Sequence, residues 1–168
     1  LTGTLGDYAG APRTPAGRTD IPKLLDQIAA AHMNTYDFLI YPHRHDWDDF
    51  QGFVQQAQQK KIKVWVTLLP PSEPPPSEPF QLDYIRWAQE IGKLSQRYDC
   101  IAGVVIDDFW SAENQTQFTP AYIARFAATL RSYNPKLAFL PVVYWGTIGD
   151  EKFLNDFGPA IDGIMFPY

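Results

Sequence analysis

Short apolar runs alternate with longer amphipathic ones along the whole chain. Thr35–Tyr41 (T-Y-D-F-L-I-Y), Ile62–Leu69 (I-K-V-W-V-T-L-L), Ile101–Ile106 (I-A-G-V-V-I), Leu137–Trp145 (L-A-F-L-P-V-V-Y-W) and Ile161–Phe166 are rich in β-branched, aliphatic and aromatic residues. That composition predicts buried strands. Leu1–Tyr8 is a shorter, glycine-containing candidate. Between the runs, apolar residues recur at helical spacing: Leu24, Leu25, Ile28 and Ala31 in Ile21–His32, and Phe50, Phe53, Val54 and Ala57 in a helix opened by Asp46-Trp47-Asp48-Asp49. Tyr84, Ile85, Ala88, Ile91 and Leu94 do the same in Leu82–Tyr98, as do Tyr122, Ile123, Phe126, Ala127 and Leu130 after Thr119-Pro120. Glu151–Phe157 predicts a short final helix. Asp20 with Pro22, and Thr119 with Pro120, are helix starts, and Asn134-Pro135 is a stop.

Strand and helix signals alternating at roughly 25 to 40 residues are the rhythm of βα repeats. Two architectures share it: a (β/α)8 TIM barrel truncated to about six βα units, and a doubly wound open parallel sheet. The barrel is favoured because no strand is followed by G-x-G-x-x-G or a Walker-type loop, and because nearly every strand ends in polar or aromatic residues. Residues 1–168 then form one partial barrel domain. Pro141 inside a strand signal predicts a bulge or an irregular strand end. Pro70–Pro79 predicts a stiff surface loop that walls a cleft.

The chain has 168 residues, 45% of them hydrophobic, enough for a sizeable core. A net charge of -5 and scattered basic residues exclude a nucleic-acid backbone as partner. Cys100 alone permits neither an internal disulfide nor a thiolate metal cluster, and its apolar neighbours make it an inert thiol. No apolar run approaches the ~20 residues of a membrane span. The first residue is Leu1 and the last follows a strand-like run, so an N-terminal leader and further C-terminal chain are expected. No cofactor is expected.

The chemistry gathers at predicted strand ends. Asp107 and Asp108 close the Ile101–Ile106 run, where a parallel fold delivers side chains to a ligand. Neighbouring strand residues face opposite ways, so one acid is expected to be catalytic or sugar-binding and the other to brace it, unless the strand ends between them. Asp7, Tyr8, Tyr41, His43, Trp110, Tyr144, Trp145 and Tyr168 fall at the same end and would supply hydroxyls and stacking faces.

With G-V-V-I-D-D-F-W, Y-P-H and V-V-Y-W at its strand ends, the chain resembles TIM-barrel glycoside hydrolases. The D-D-x-W ending is similar to that of α-galactosidase-like barrels, where strand-end Asp residues are catalytic. The chitinase-like D-G-x-D-x-D-x-E pattern is not met, because Val105 and Phe109 stand where acids belong. The resemblance implies a carbohydrate substrate and a secreted or extracytoplasmic location.

Glycosidic cleavage requires a second carboxyl group. Asp7, Glu73, Glu113, Asp150 and Glu151 are the candidates. His43-x-His45 resembles amidohydrolase-like metal sites and leaves a metal-dependent hydrolase as an alternative. Deacetylase-like barrels also combine an Asp pair with histidines, but in the reverse order. A barrel that binds saccharide without cleaving it is the third reading.

Overall fold

The structure is a computed structural model that describes residues 4–8, 10–41 and 43–167, with the backbone alone at Tyr8. Strands β1 (Gly6–Tyr8), β2 (Thr35–Ile40), β3 (Lys63–Leu68), β4 (Ile101–Ile106) and β5 (Ala138–Pro141) form one sheet in the order β1-β2-β3-β4-β5. Every pairing is parallel. Parallel neighbours need a crossover rather than a hairpin. Helices α1 (Ile21–Ala30), α2 (Asp46–Gln59), α3 (Tyr84–Ser95) and α4 (Pro120–Tyr133) provide it, and α5 (Trp145–Ile148) and α6 (Glu151–Phe157) follow β5.

A doubly wound sheet reverses its strand order at a switch point, whereas a barrel never does. Here the order never reverses, so the chain is a partial (β/α) barrel. Among the described residues β1 and β5 are not paired with each other, and the sheet stays open.

The sixth predicted strand, Ile161–Phe166, is reduced to a single bridge between Val142 and Met165. Hydrogen bonds from Asp162 N to Phe139 O (3.0 Å), Met165 N to Pro141 O (3.0 Å) and Val143 N to Met165 O (3.1 Å) nevertheless lay it alongside β5. Pro141 explains the irregularity. Val142 N donates to Ile106 O, so even-numbered donors serve β4 and odd-numbered ones face the sixth segment, where proline has none to offer. The fifth strand likewise ends at Pro141 instead of running to Trp145, which opens α5.

One face of the sheet carries Tyr36, Phe38, Ile40, Val64, Val66, Leu68, Val104, Ile106 and Phe139, all buried against the helices. Phe38 lies 5.3 Å from Phe50 and 5.4 Å from Phe53, and Phe126 lies 5.0 Å from Phe139, as ring centroids. The other face, the barrel lumen, presents Asp37, Trp65, Thr67, Gly103 and Val105 in register. Val64 pairs with Ile101 but Trp65 with Gly103, so Ala102 is bulged out and Gly103 comes to lie under the Trp65 ring. A Cβ there would stand 2.2 Å from Ala138 O and 2.6 Å from that ring, which is why only glycine fits.

The capping residues behave as the sequence predicts at α1 and α4: Asp20 accepts from Lys23 N and Thr119 from Tyr122 N. In α3 the cap is Asp83, so the helix starts later than Leu82. The acids opening α2 do more than face the helix dipole. Asp46 pairs with Arg13, and Asp49 with Arg18 and Thr19 N, which ties the Gly/Pro/Arg loop down.

Candidate active site

β4 ends at Ile106, and Asp107 N still donates to Leu68 O at 3.0 Å. The chain then turns: Asp108 has φ of 35°, in the left-handed region that Asp tolerates better than most residues. Strand alternation therefore stops before the two acids, and both line one cleft. Asp107 is 9% exposed and accepts the Asp108 N–H at 3.0 Å. Asp108 accepts the Tyr144 hydroxyl. A strained backbone held by its surroundings is a frequent feature of functional sites.

The proline-rich loop after β3 is the expected wall, and its attachments show why it is rigid. Ser77 donates to Ile40 O (2.6 Å) and accepts from Leu69 N (3.1 Å), while the Tyr84 hydroxyl donates to Leu69 O (2.6 Å). Asn114, fully buried, joins this wall to the acids by accepting Ser72 N (2.9 Å) and donating to Asp108 O (2.8 Å). Glu73, next to Ser72, is thereby delivered to Asp108, whose side chain it hydrogen-bonds. Of the five candidate second carboxylates, Glu73 and Asp7 reach the cleft. Glu113 is exposed, Asp150 caps α6 and Glu151 sits exposed in its first turn.

The cleft has a volume of about 580 Å³ and is lined by Asp7, Tyr41, Glu73, Asp107, Asp108, Tyr144 and Phe166 among others. Tyr41 also borders a neighbouring basin of about 360 Å³ that holds Arg13 and His43. Trp110 packs on Phe153 (5.4 Å) and Phe157 (5.6 Å) of α6, away from the residues that line the cleft. Trp145 is not a lining residue either. It stands 81% exposed beside the cleft, 6.4 Å from the Phe166 ring. The side chain of Tyr8 and all of Tyr168 lie outside the described residues.

Electrostatics separate the carboxyl groups. Burial, then the charges of Asp107 and Asp108 and the hydrogen bond to Asp108, push Glu73 up to about 7. Burial and the charges of Glu73, Asp107 and Asp108 raise the Tyr41 phenol, which makes it a neutral hydroxyl donor. In the lumen below, Asp37 is 4% exposed, and burial, opposed by its hydrogen bond with Thr67 and reinforced by the Asp107 charge, lifts it to about 7. Asp37 and Asn114 are functional residues that lie outside the strand-end pattern. An acid in the middle of T-Y-D-F-L-I-Y was a visible signal for the first; nothing local marked the second.

Among the described residues no three His, Cys, Asp or Glu side chains converge as metal ligands would. His45 precedes α2 and accepts from Arg44 Nε at 3.0 Å, apart from the cleft. Cys100 is half-buried at the opposite mouth of the barrel, and burial pushes its thiol up to about 11, too high for a nucleophile at neutral pH. No helix among the described residues is long and apolar enough to cross a membrane.

No protein-family model matches the chain, and no curated protein matches it by sequence. Solved structures do resemble its fold. The catalytic domain of the major endoglucanase from Xanthomonas campestris pv. campestris superposes with a TM-score of 0.55 at 9% identity, over 91% of this chain and 72% of that one. A xylanase from Cellvibrio japonicus gives 0.62 at 14% identity, over 94% of this chain and 40% of that one. The homocysteine methyltransferase from Escherichia coli gives 0.57 at 12% identity, over 97% and 54%. The chain thus spans well under the full length of the latter two, and the likeness is one of fold.

Proposed function

We propose that the cleft cleaves a glycosidic bond in a saccharide, with Glu73 as proton donor and Asp107 as the ionised partner. Support comes from one observation above all: Glu73, Asp107 and Asp108 line one cleft, where burial first and then the charges of the two Asp residues push Glu73 up to about 7, the division of roles that glycoside cleavage asks of its carboxyl groups. A hydrogen-bonded pair stands closer than the ~5 Å between a donor and a nucleophile. Asp108, bonded to both Glu73 and Tyr144, is therefore read as the brace. Asp107, deeper in the cleft, is read as the carboxylate that meets the anomeric carbon. Tyr41, Tyr144 and Phe166 would offer hydroxyls and apolar faces to sugar rings. The endoglucanase and xylanase folds are in keeping with this reading. A secreted or extracytoplasmic location is part of the proposal, and fractionation of the source cells would check it.

Screening polysaccharides and aryl glycosides tests the reading. Glu73→Gln is expected to lower kcat about 10²- to 10⁴-fold on natural saccharides, and far less on a glycoside whose leaving group needs no protonation. Asp107→Asn should abolish turnover on both. Saccharide binding without turnover, unchanged by either substitution, would instead identify a binding module. Loss of turnover on chelation would point to a metal-dependent hydrolase.

A further inference from the structure

Beneath the cleft, the lumen holds an acid for which the mechanism above has no use. Asp37 lies on β2, 4% exposed, beside a chamber of about 260 Å³ lined by Gly6, Asp7, Thr35, Trp65 and Met165. Among the described residues, the charged and titratable groups that face it are Asp7 on β1 and Asp107 after β4. β3 contributes Trp65 and Thr67, with Lys63 exposed at the far end of the same face, and the sixth segment contributes only Met165. Among the described residues no cation lines the chamber. A buried carboxylate in that position would face two further acids with nothing to balance it.

The hydrogen bonding offers a charge there little help. The Thr67 hydroxyl stands 2.8 Å from one Asp37 oxygen and 2.9 Å from the other. A hydroxyl carries one proton. That proton is shared between the two oxygens, and among the described residues this single neutral hydroxyl is all that the Asp37 carboxyl group is given to offset a charge.

We propose that Asp37 is a positioning residue of the site, a carboxylic acid that keeps its proton against Thr67 so that the lumen floor stays uncharged beneath Asp107. A second negative charge at that level would draw a proton onto one of the pair and silence Asp107 as an anion. The role rests on the reading of Asp107 and Glu73 given above. The raised titration of Asp37 agrees with the geometry.

Carboxyl-carbon NMR titration of the full chain tests the state of Asp37 without any substrate. A midpoint near 7 is expected, falling by about a unit in Asp107→Asn and rising further in Thr67→Val, which removes the partner that favours the anion. A wild-type midpoint below about 5 overturns the proposal. The kinetic test compares wild type with the isosteric Asp37→Asn. At pH 6 their kcat/KM should agree within about threefold, because both floors are neutral. Above neutral pH the wild-type logarithm should fall with a slope of about 2, one proton from Glu73 and one from Asp37, and the variant with a slope of about 1. Equal slopes, or a folded Asp37→Asn that is inactive at pH 6, overturn it, since a merely structural acid would leave the profile unchanged. If no saccharide is cleaved, the glycosidase reading fails while the NMR titration still decides the protonation of Asp37.

Discussion

On the outer face of the sheet Phe38, Val64, Val66, Leu68, Val104 and Ile106 meet helix residues of the same kind, and every one of them is fully buried. On the inner face the same strands present Asp37, Trp65, Thr67 and Gly103, each tied to a particular neighbour: Asp37 to Thr67, and Gly103 to the Trp65 ring and Ala138. The outer face follows a rule of kind, apolar against apolar, that many residues satisfy. The inner face follows rules of partnership, in which each group is tolerable only because of one other. Stability is spread over the first face, and chemistry is gathered at the upper end of the second.

Breaking the inner face at its tightest point should have the largest effect. Gly103→Val drives a side chain into the Ala138 carbonyl and is expected to yield no folded protein, read by circular dichroism and by solubility on expression. Phe38→Ala, on the outer face, leaves a cavity among Phe50 and Phe53 and should cost about 3 to 5 kcal/mol in chemical denaturation. It should not alter the Glu73 titration.

Asp37→Asn sharpens the comparison, because its sign depends on pH. The folded-state pKa of Asp37 is raised to about 7, so between about pH 4 and 7 the folded chain binds more protons than the unfolded one. Wild-type stability therefore falls as pH rises through that window. The variant should be more stable than wild type by roughly 2 to 4 kcal/mol at pH 8 and equal to it near pH 3, measured by denaturation at the two pH values. Glu90→Gln removes exposed ion pairs with Arg86 and Lys93 on α3 and should change stability by no more than about 0.5 kcal/mol.

Much of this was legible in the residues. Apolar spacing in α1, α2 and α4 located the helices because a helix that buries one face must repeat at that period, and Asp20 and Thr119 marked their starts. The placement of Asp107 and Asp108 at a strand end was readable from the run before them, but their convergence was not. It depends on Asp108 leaving the strand with φ of 35°, a conformation that Asn114 and Tyr144 hold from other parts of the chain. The aromatic residues were the least legible. Tyr41, Tyr144 and Trp110 look alike as residues following strands, yet Trp110 is claimed by Phe153 and Phe157 from a helix more than 40 residues later.

By itself, the order of apolar runs and amphipathic stretches determined a parallel βα architecture with acids at its strand ends. Periodicity is a local property, and burial acts on each segment in much the same way wherever its partner lies. Only the tertiary structure decided that the strands follow one another without reversal, that Glu73 on a proline-stiffened loop meets Asp108, and that Asp37 is shut beneath them. Those outcomes depend on distances between groups far apart in the chain, and a carboxyl group takes its protonation from the charges and hydrogen bonds that surround it in space.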